Sequence, residues 1–248
     1  MIDICIAAYL NYDLLKIQLS HWDWISGDHR ILVCDNTPSL YRLGGWFDPC
    51  AYKSHIELYR QEYDGIDGTR HGEALNMLIR KTSTPIVGIC DSDFFWLKPD
   101  ILTDVEELFR VGNKCVGVEL WYDDFWIVNQ RYPERAGWLA PCVFGMFIDR
   151  DLALSDTFAV TPTEGCELKE TGWRMRKKII DERIQCHVYR THTYDKNTDP
   201  KICYFGSPPI GVHLLKGSSM RINETVAAYG QSLEVAQGYL PWSLPCLH

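Results

Sequence analysis

Four short strand-like runs, three of them compactly apolar, constrain the fold of this chain more than any other feature. They lie at residues 2–8, 30–34 (RILVC), 55–59 and 85–90 (PIVGIC). A strand with one wet face alternates apolar and polar side chains. A strand buried on both faces reads as an unbroken run, and burial on both faces marks a parallel sheet covered by helices. The segments between the runs supply that cover. Residues 11–22 carry Leu14, Leu15, Ile17 and Leu19, and residues 69–80 carry Ala74, Leu75, Met77, Leu78 and Ile79. A third helix is predicted over 100–109, followed by a strand over 114–120. The second run stops at Asp35-Asn36-Thr37-Pro38, residues that favour turns through side-chain-to-backbone bonds and a fixed φ, and 64–68 reads as a loop. Strands alternating with helices give an α/β chain with a mostly parallel sheet.

The second half is less regular. Strands are expected over 142–148, 185–189, 202–205 and 210–213, and helices over 168–181 and 223–237. No repeat or linker interrupts the chain, so residues 1–248 read as one domain whose second half completes the sheet and builds a pocket. Lys plus Arg number 25 against 33 for Asp plus Glu, a net charge of −8. That balance argues against nucleic acid as a partner. An anionic ligand would need a local device to hold it, such as a metal ion or a helix N-terminus. None of the ten cysteines forms a C-x-x-C pair, and Cys5, Cys34 and Cys90 lie inside apolar runs, so buried thiols are expected rather than a disulfide framework. The opening MIDICIAAYL has no basic region of the signal-peptide type, and the longest apolar stretch, 137–148, is interrupted by Pro141. The expectation is a cytoplasmic protein without a transmembrane segment.

Asp91-Ser92-Asp93 closes the fourth run. In open α/β sheets ligands bind beyond the carboxyl ends of the strands. Two carboxylates one residue apart there can hold Mg²⁺ or Mn²⁺, which bridges to phosphates; the alternative is a solvated turn. Asp35 ends the second run, where an acid can accept hydrogen bonds from a ribose or a base. Arg70-His71-Gly72 opens the helix before the acidic strand, with Asn76 one turn further on.

The pieces DICIAAY, RILVCDN, DGTRHGEALNMLIRKTSTPIVGICDSDFF and CVFGMFIDR together resemble the GT-A glycosyltransferases, and among them the family-2-like enzymes. The resemblance covers residues 2–150 well and the rest loosely. It implies a GT-A-like sheet, with 1–120 as the nucleotide-sugar-binding half and 121–248 as the acceptor-binding and metal-completing half. It implies a UDP- or GDP-type sugar donor, a glycan or other hydroxyl acceptor, and Mn²⁺ or Mg²⁺ as cofactor. Asp35 then matches the nucleoside-binding acid, Arg70, His71 and Asn76 the donor-binding segment, and Asp91 and Asp93 the metal motif, with Asp91 also facing the ribose or the ion's water shell.

Two further assignments follow from the resemblance. Members of this fold often supply a late His as a third metal ligand; His213 fits, and Lys216 would contact the diphosphate. Both also read as surface residues. An inverting transfer needs a carboxylate base, which the family places near the start of a helix after the strand at 142–148. Glu170, before Thr171-Gly172, is the first candidate, with Glu164 and Glu167 beside it. Glu stands where the family more often has Asp, and the alternative is a solvated helix start. The aromatic group Trp121, Tyr122, Phe125, Trp126 and Trp138 suits sugar stacking, or else a packed flap or a dimer contact.

A sugar nucleotidyltransferase would want a Gly-rich, basic loop after the first strand, and Ala7-Ala8-Tyr9-Leu10-Asn11 has neither feature. A non-catalytic nucleotide- or sugar-binding module is disfavoured by the intact acidic pair.

Overall fold

The computed structural model describes residues 1–9, 11–37, 39, 45, 47–61, 69–119, 140–159, 171–195 and 201–215. The four runs are strands: β1 (Ile2–Ala8), β2 (His29–Asp35), β3 (His55–Arg60) and β4 (Ile86–Cys90). β1 is buried along its whole length and β2 over its last five residues, as two-sided cover requires. Helices α1 (Tyr12–Trp22) and α2 (Thr69–Lys81) follow β1 and β3. Leu14, Leu15, Leu19, Ala74, Leu75 and Leu78 are all buried.

After β4 come β5 (Phe94–Trp96), α3 (Ile101–Arg110), β6 (Cys115–Val118), β7 (Gly145–Asp149) and the short α4 (Arg150–Leu154). Then follow α5 (Trp173–Asp181), β8 (Cys186–Tyr189), β9 (Thr191–Asp195), β10 (Lys201–Phe205) and β11 (Gly211–Leu215). The main sheet has seven strands among the described residues, in the order β3-β2-β1-β4-β7-β6-β8. Only β7 runs against its neighbours, so the sheet is mostly parallel.

The second half departs from the sequence reading in three places. It does not only complete the sheet: β5, β11, β10 and β9 form a separate antiparallel sheet of four strands. β5 is the FFW that follows the acidic pair, and β9 was not expected at all. The strand expected from residue 142 starts at Gly145; Cys142 and Gly145 close a turn instead (3.3 Å), and the apolar character of Cys142, Val143 and Phe144 reflects burial, not strand. The helix expected from 168 starts at Trp173, because Gly172 sits at φ 76°, outside helical space.

At the amino-terminal edge of the sheet, buried Asp3 forms a bidentate pair with Arg30 (2.9 Å for both bonds), and Arg30 continues to Glu57 at 2.9 Å. Asp3 also accepts from the Ser83 amide at 2.7 Å. This network ties β1, β2, β3 and the entry to β4 together at the end opposite the acidic pair. Cys5, Cys90 and Cys115 are buried thiols, and burial pushes the Cys90 and Cys115 thiols well up from their ordinary value. No helix among the described residues is long and apolar enough to cross a membrane.

Candidate active site

The Asp91-Ser92-Asp93 turn leaves the carboxyl end of β4 and enters β5, so it lies where the two sheets meet. Helix α1 supports it from below. The Gln18 amide, buried in α1, donates to the carbonyls of Asp91 and Phe94, the latter at 3.0 Å. Asn11, at the head of the same helix, donates to the Ser92 hydroxyl. The Asp91 amide donates to the Phe144 carbonyl at 2.9 Å, closing the turn against the start of β7. These contacts fix the backbone, and the backbone sets where the two carboxylates point.

His213 arrives from the second sheet. β11 pairs with β5 so that His213 lies opposite Phe94, and the Leu214 amide donates to the Asp93 carbonyl at 3.0 Å. The imidazole stacks on Phe144 with ring centres 4.3 Å apart and planes 4° from parallel. Its Nε2 lies 3.1 Å from Asp93 Oδ1. Phe94 packs beneath, its ring filling space that a side chain at Gly145 or Gly211 would take: a Cβ at either position would lie 2.7 Å from it.

One ligand atom each from Asp91, Asp93 and His213 lie within 4.8 Å of one another. Ligands bonded at about 2.1 Å in octahedral geometry stand about 3–4 Å apart. The His213–Asp93 separation matches an adjacent pair in such a shell, and the full spread needs only slight tightening. Two carboxylate oxygens and one imidazole nitrogen suit Mn²⁺ better than Mg²⁺, which prefers oxygen alone. Asp93 and His213 are buried, while the Asp91 side chain keeps 15% of its surface exposed, leaving an open approach.

His71, the third residue of α2, lies beside this cluster. Its Nε2 is 3.3 Å from Asp91 Oδ1 and its Nδ1 is 3.2 Å from the Thr171 hydroxyl. Burial pushes its pKa down, but the carboxylates of Asp91 and Asp93 outweigh that, and the net shift is upward from the ordinary histidine value. Gly72 brings the α2 entrance onto the backbone at Phe158 and Ala159: a Cβ there would lie 2.5 Å from Phe158 C and Ala159 Cα and closer still to the Phe158 carbonyl.

Asn76 and Asp35, the other expected residues whose side chains are described, are hydrogen-bonded within the chain. Asn76 was expected at the donor, but its carboxamide is committed to the chain: it donates to the Thr157 hydroxyl at 2.6 Å and accepts from the Phe158 amide at 2.8 Å. Asp35 ends β2 at the same edge of the sheet as Asp91. It is fully buried, and its carboxylate accepts from the Thr37 amide at 3.0 Å and from the Tyr12 hydroxyl at 3.2–3.4 Å. The Arg70 side chain, Glu164, Glu167, Glu170, Lys216 and the aromatic group at 121–138 lie outside the described residues. Sequence reasoning missed Gln18, Phe94 and Phe144. Their apolar or helical settings made them look like ordinary core, and only the glutamine, a polar residue on the apolar face of α1, carried a signal.

No protein-family model matches the chain, and no curated protein matches it by sequence. Solved structures share its fold. The mannosyltransferase PcManGT from Pyrobaculum calidifontis, in complex with GDP-Man and Mn²⁺, superposes with a TM-score of 0.53 at 18% identity, over 79% of this chain and 57% of that one. Glucosyl-3-phosphoglycerate synthase from Mycobacterium tuberculosis, in complex with Mn²⁺ and UDP-glucose, gives 0.52 at 17% identity, over 77% and 68%. S. aureus TarS gives 0.50 at 12% identity, over 75% and 57%. This chain therefore spans little more than half the length of the mannosyltransferase it matches. The fold is of the GT-A type.

Proposed function

We propose that this protein is a metal-dependent glycosyltransferase that moves a sugar from a UDP- or GDP-linked donor to a hydroxyl acceptor with inversion. The observation that carries the reading is the gathering of Asp91, Asp93 and His213 at the carboxyl end of β4 in a GT-A-type fold. Two of the structures with this fold were solved with Mn²⁺ and a nucleotide sugar. The donor set present here fits the same kind of ion.

Asp91, Asp93 and His213 would hold the cation. When bound, it supplies Lewis-acid stabilisation of the charge that builds on the departing diphosphate. Lys216, three residues after His213, adds a cation for the same phosphates. Asp35 takes a nucleoside hydroxyl in place of Tyr12, whose bond to it is long and correspondingly weak. The acceptor oxygen attacks the anomeric carbon, the bond from that carbon to the diphosphate oxygen breaks, and the acceptor proton passes to a carboxylate. Glu170 is the proposed base, with Glu164 and Glu167 as its neighbours in the same segment. In support, Glu170 directly precedes Thr171, whose hydroxyl touches the imidazole that faces Asp91.

Isothermal titration of UDP and of GDP, each in Mn²⁺ and in EDTA, tests the reading. One of them should bind in Mn²⁺ and lose most of its affinity in EDTA, and Asp93→Ala should abolish the difference. Equal affinity in both solutions would refute the metal-dependent reading.

A further inference from the structure

A histidine beside a metal-binding carboxylate can be a ligand, a contact to substrate, or a support. His71 stands outside the cluster of Asp91, Asp93 and His213 whose ligand atoms share one small volume. Both of its ring nitrogens are engaged, Nε2 with Asp91 Oδ1 at 3.3 Å and Nδ1 with Thr171 Oγ1 at 3.2 Å. Neither is left to face a nucleotide. The Asp91 contact is one of proximity and charge rather than a hydrogen bond, since Asp91 Oδ1 is buried without a hydrogen-bond partner among the described residues, whereas the Thr171 contact is a hydrogen bond whose direction follows the imidazole tautomer.

The helix that carries the ring is anchored as well. Gly72 presses the entrance of α2 against Phe158 and Ala159, and one turn on, Asn76 bonds to Thr157 and Phe158. The Gly172 amide donates to the Phe158 carbonyl at 2.8 Å, so the start of α5 is fixed to the same short segment. Asp91 itself is only part-buried, with Oδ1 the buried oxygen, and a carboxylate without a support samples several rotamers. His71 removes that freedom by tying one Asp91 oxygen to two anchored helix ends.

We propose that His71 is a positioning residue for the metal site: it fixes the Asp91 carboxylate in its cation-binding orientation and is itself fixed by Thr171. This rests on the metal-dependent reading above. Groups that orient metal ligands typically change metal affinity by about 10–100-fold when removed.

The test is a titration of the full chain with Mn²⁺ alone, followed by loss of the free-ion electron paramagnetic resonance signal, with thermal unfolding as a check on folding. His71→Asn keeps an amide near Nδ1 for Thr171 but no longer reaches Asp91. His71→Gln carries its amide nitrogen to about the place of Nε2. His71→Asn should weaken Mn²⁺ binding about 10–100-fold at unchanged unfolding temperature, and His71→Gln should restore it to within a few-fold of the unaltered protein. Asp93→Ala is the control for the underlying reading. If Asp93→Ala leaves Mn²⁺ binding intact, the metal reading fails. If Asp93→Ala abolishes binding while His71→Asn binds as the unaltered protein does, the metal reading stands and the role of His71 is overturned. Equal weakening in His71→Asn and His71→Gln would also overturn it, because the contact with Asp91 would then not be what matters.

Discussion

Gly72→Ala is the sharpest perturbation of the framework around the site, because two physical effects of opposite sign meet there. Within a helix, Ala is favoured over Gly by up to about 1 kcal/mol, and α2 runs through this position. Against that, the new Cβ would lie 2.5 Å from Phe158 C and Ala159 Cα. Carbon atoms in contact prefer about 3.5 Å or more, so one backbone must retreat by about 1 Å. Neither can do so freely. Asn76 holds the same segment at 2.6 and 2.8 Å, and the Gly172 amide holds the Phe158 carbonyl at 2.8 Å. A shift of that size stretches one or two of these bonds past useful length, at about 1 kcal/mol each. Overpacking itself costs about 1–3 kcal/mol. The overlap therefore outweighs the helix preference, and a net loss of about 1–3 kcal/mol is expected. Urea unfolding followed by tryptophan fluorescence measures it, with Arg80→Ala, an exposed site on the same helix, as the reference. His71 should be displaced with its neighbour, so Mn²⁺ affinity should fall as well. A Gly72→Ala protein as stable as the original would show that α2 does not need this close approach.

Four other outcomes follow from the same geometry. Glu170→Gln should lower turnover by about 10²–10⁴-fold with nucleotide binding unchanged, and steady-state kinetics of Glu164→Gln and Glu167→Gln beside it will show whether the base lies elsewhere in the segment. Burial pushes the Asp3 carboxyl up, but Arg30 and the Ser83 and Thr84 amides outweigh it and hold its pKa below the ordinary value. Its contribution to stability is therefore complete above the unfolded pKa of about 3.9 and is lost as pH falls through the folded value, so Asp3→Asn should flatten the acid limb of a stability–pH curve measured by urea unfolding. Gln18→Leu should cost about 1–3 kcal/mol in the same assay, because it removes the side-chain amide that donates to the Asp91 and Phe94 carbonyls inside the core. Asp35→Ala should weaken binding of the responding nucleoside diphosphate by about 1–3 kcal/mol in a calorimetric titration; unchanged affinity would take Asp35 out of the nucleoside site.

The first half of the fold is legible in the sequence because two-sided burial leaves a local mark. Each parallel strand must be apolar on both faces, so β1, β2 and β4 can be read residue by residue. β5 and β9 leave no such mark. Three residues of β5 look like the tail of the acidic motif, and its pairing partner β11 lies more than a hundred positions away, with His213 and Asp93 separated by 120. The start of β7 misleads for the converse reason: Cys142 to Phe144 are apolar because the end of the sheet buries them, although their backbone turns. At the site, the carboxylates were legible because hard-ion chemistry needs them at a strand end. Their supports were not, because Gln18 and Asn76 act through backbone groups whose positions depend on the whole fold.

The small second sheet is what brings a histidine to the two carboxylates at the strand end. Asp91 directly follows the last residue of β4 in the main sheet, Asp93 leads directly into β5, and His213 reaches them through the register of β11 on β5, His213 against Phe94. A slip of one residue would put Val212 or Leu214 in its place and send the imidazole to the opposite face. Three features oppose that slip. The Leu214 amide bonds the Asp93 carbonyl, the imidazole stacks on Phe144, and the Phe94 ring needs the bare backbone of Gly145 and Gly211 on either side. Phe144 comes from the turn before β7 and also accepts from the Asp91 amide. One aromatic residue therefore touches the histidine through its ring and the first carboxylate's backbone through its carbonyl, and the spacing of the three side chains depends on how the two sheets pack rather than on any single loop.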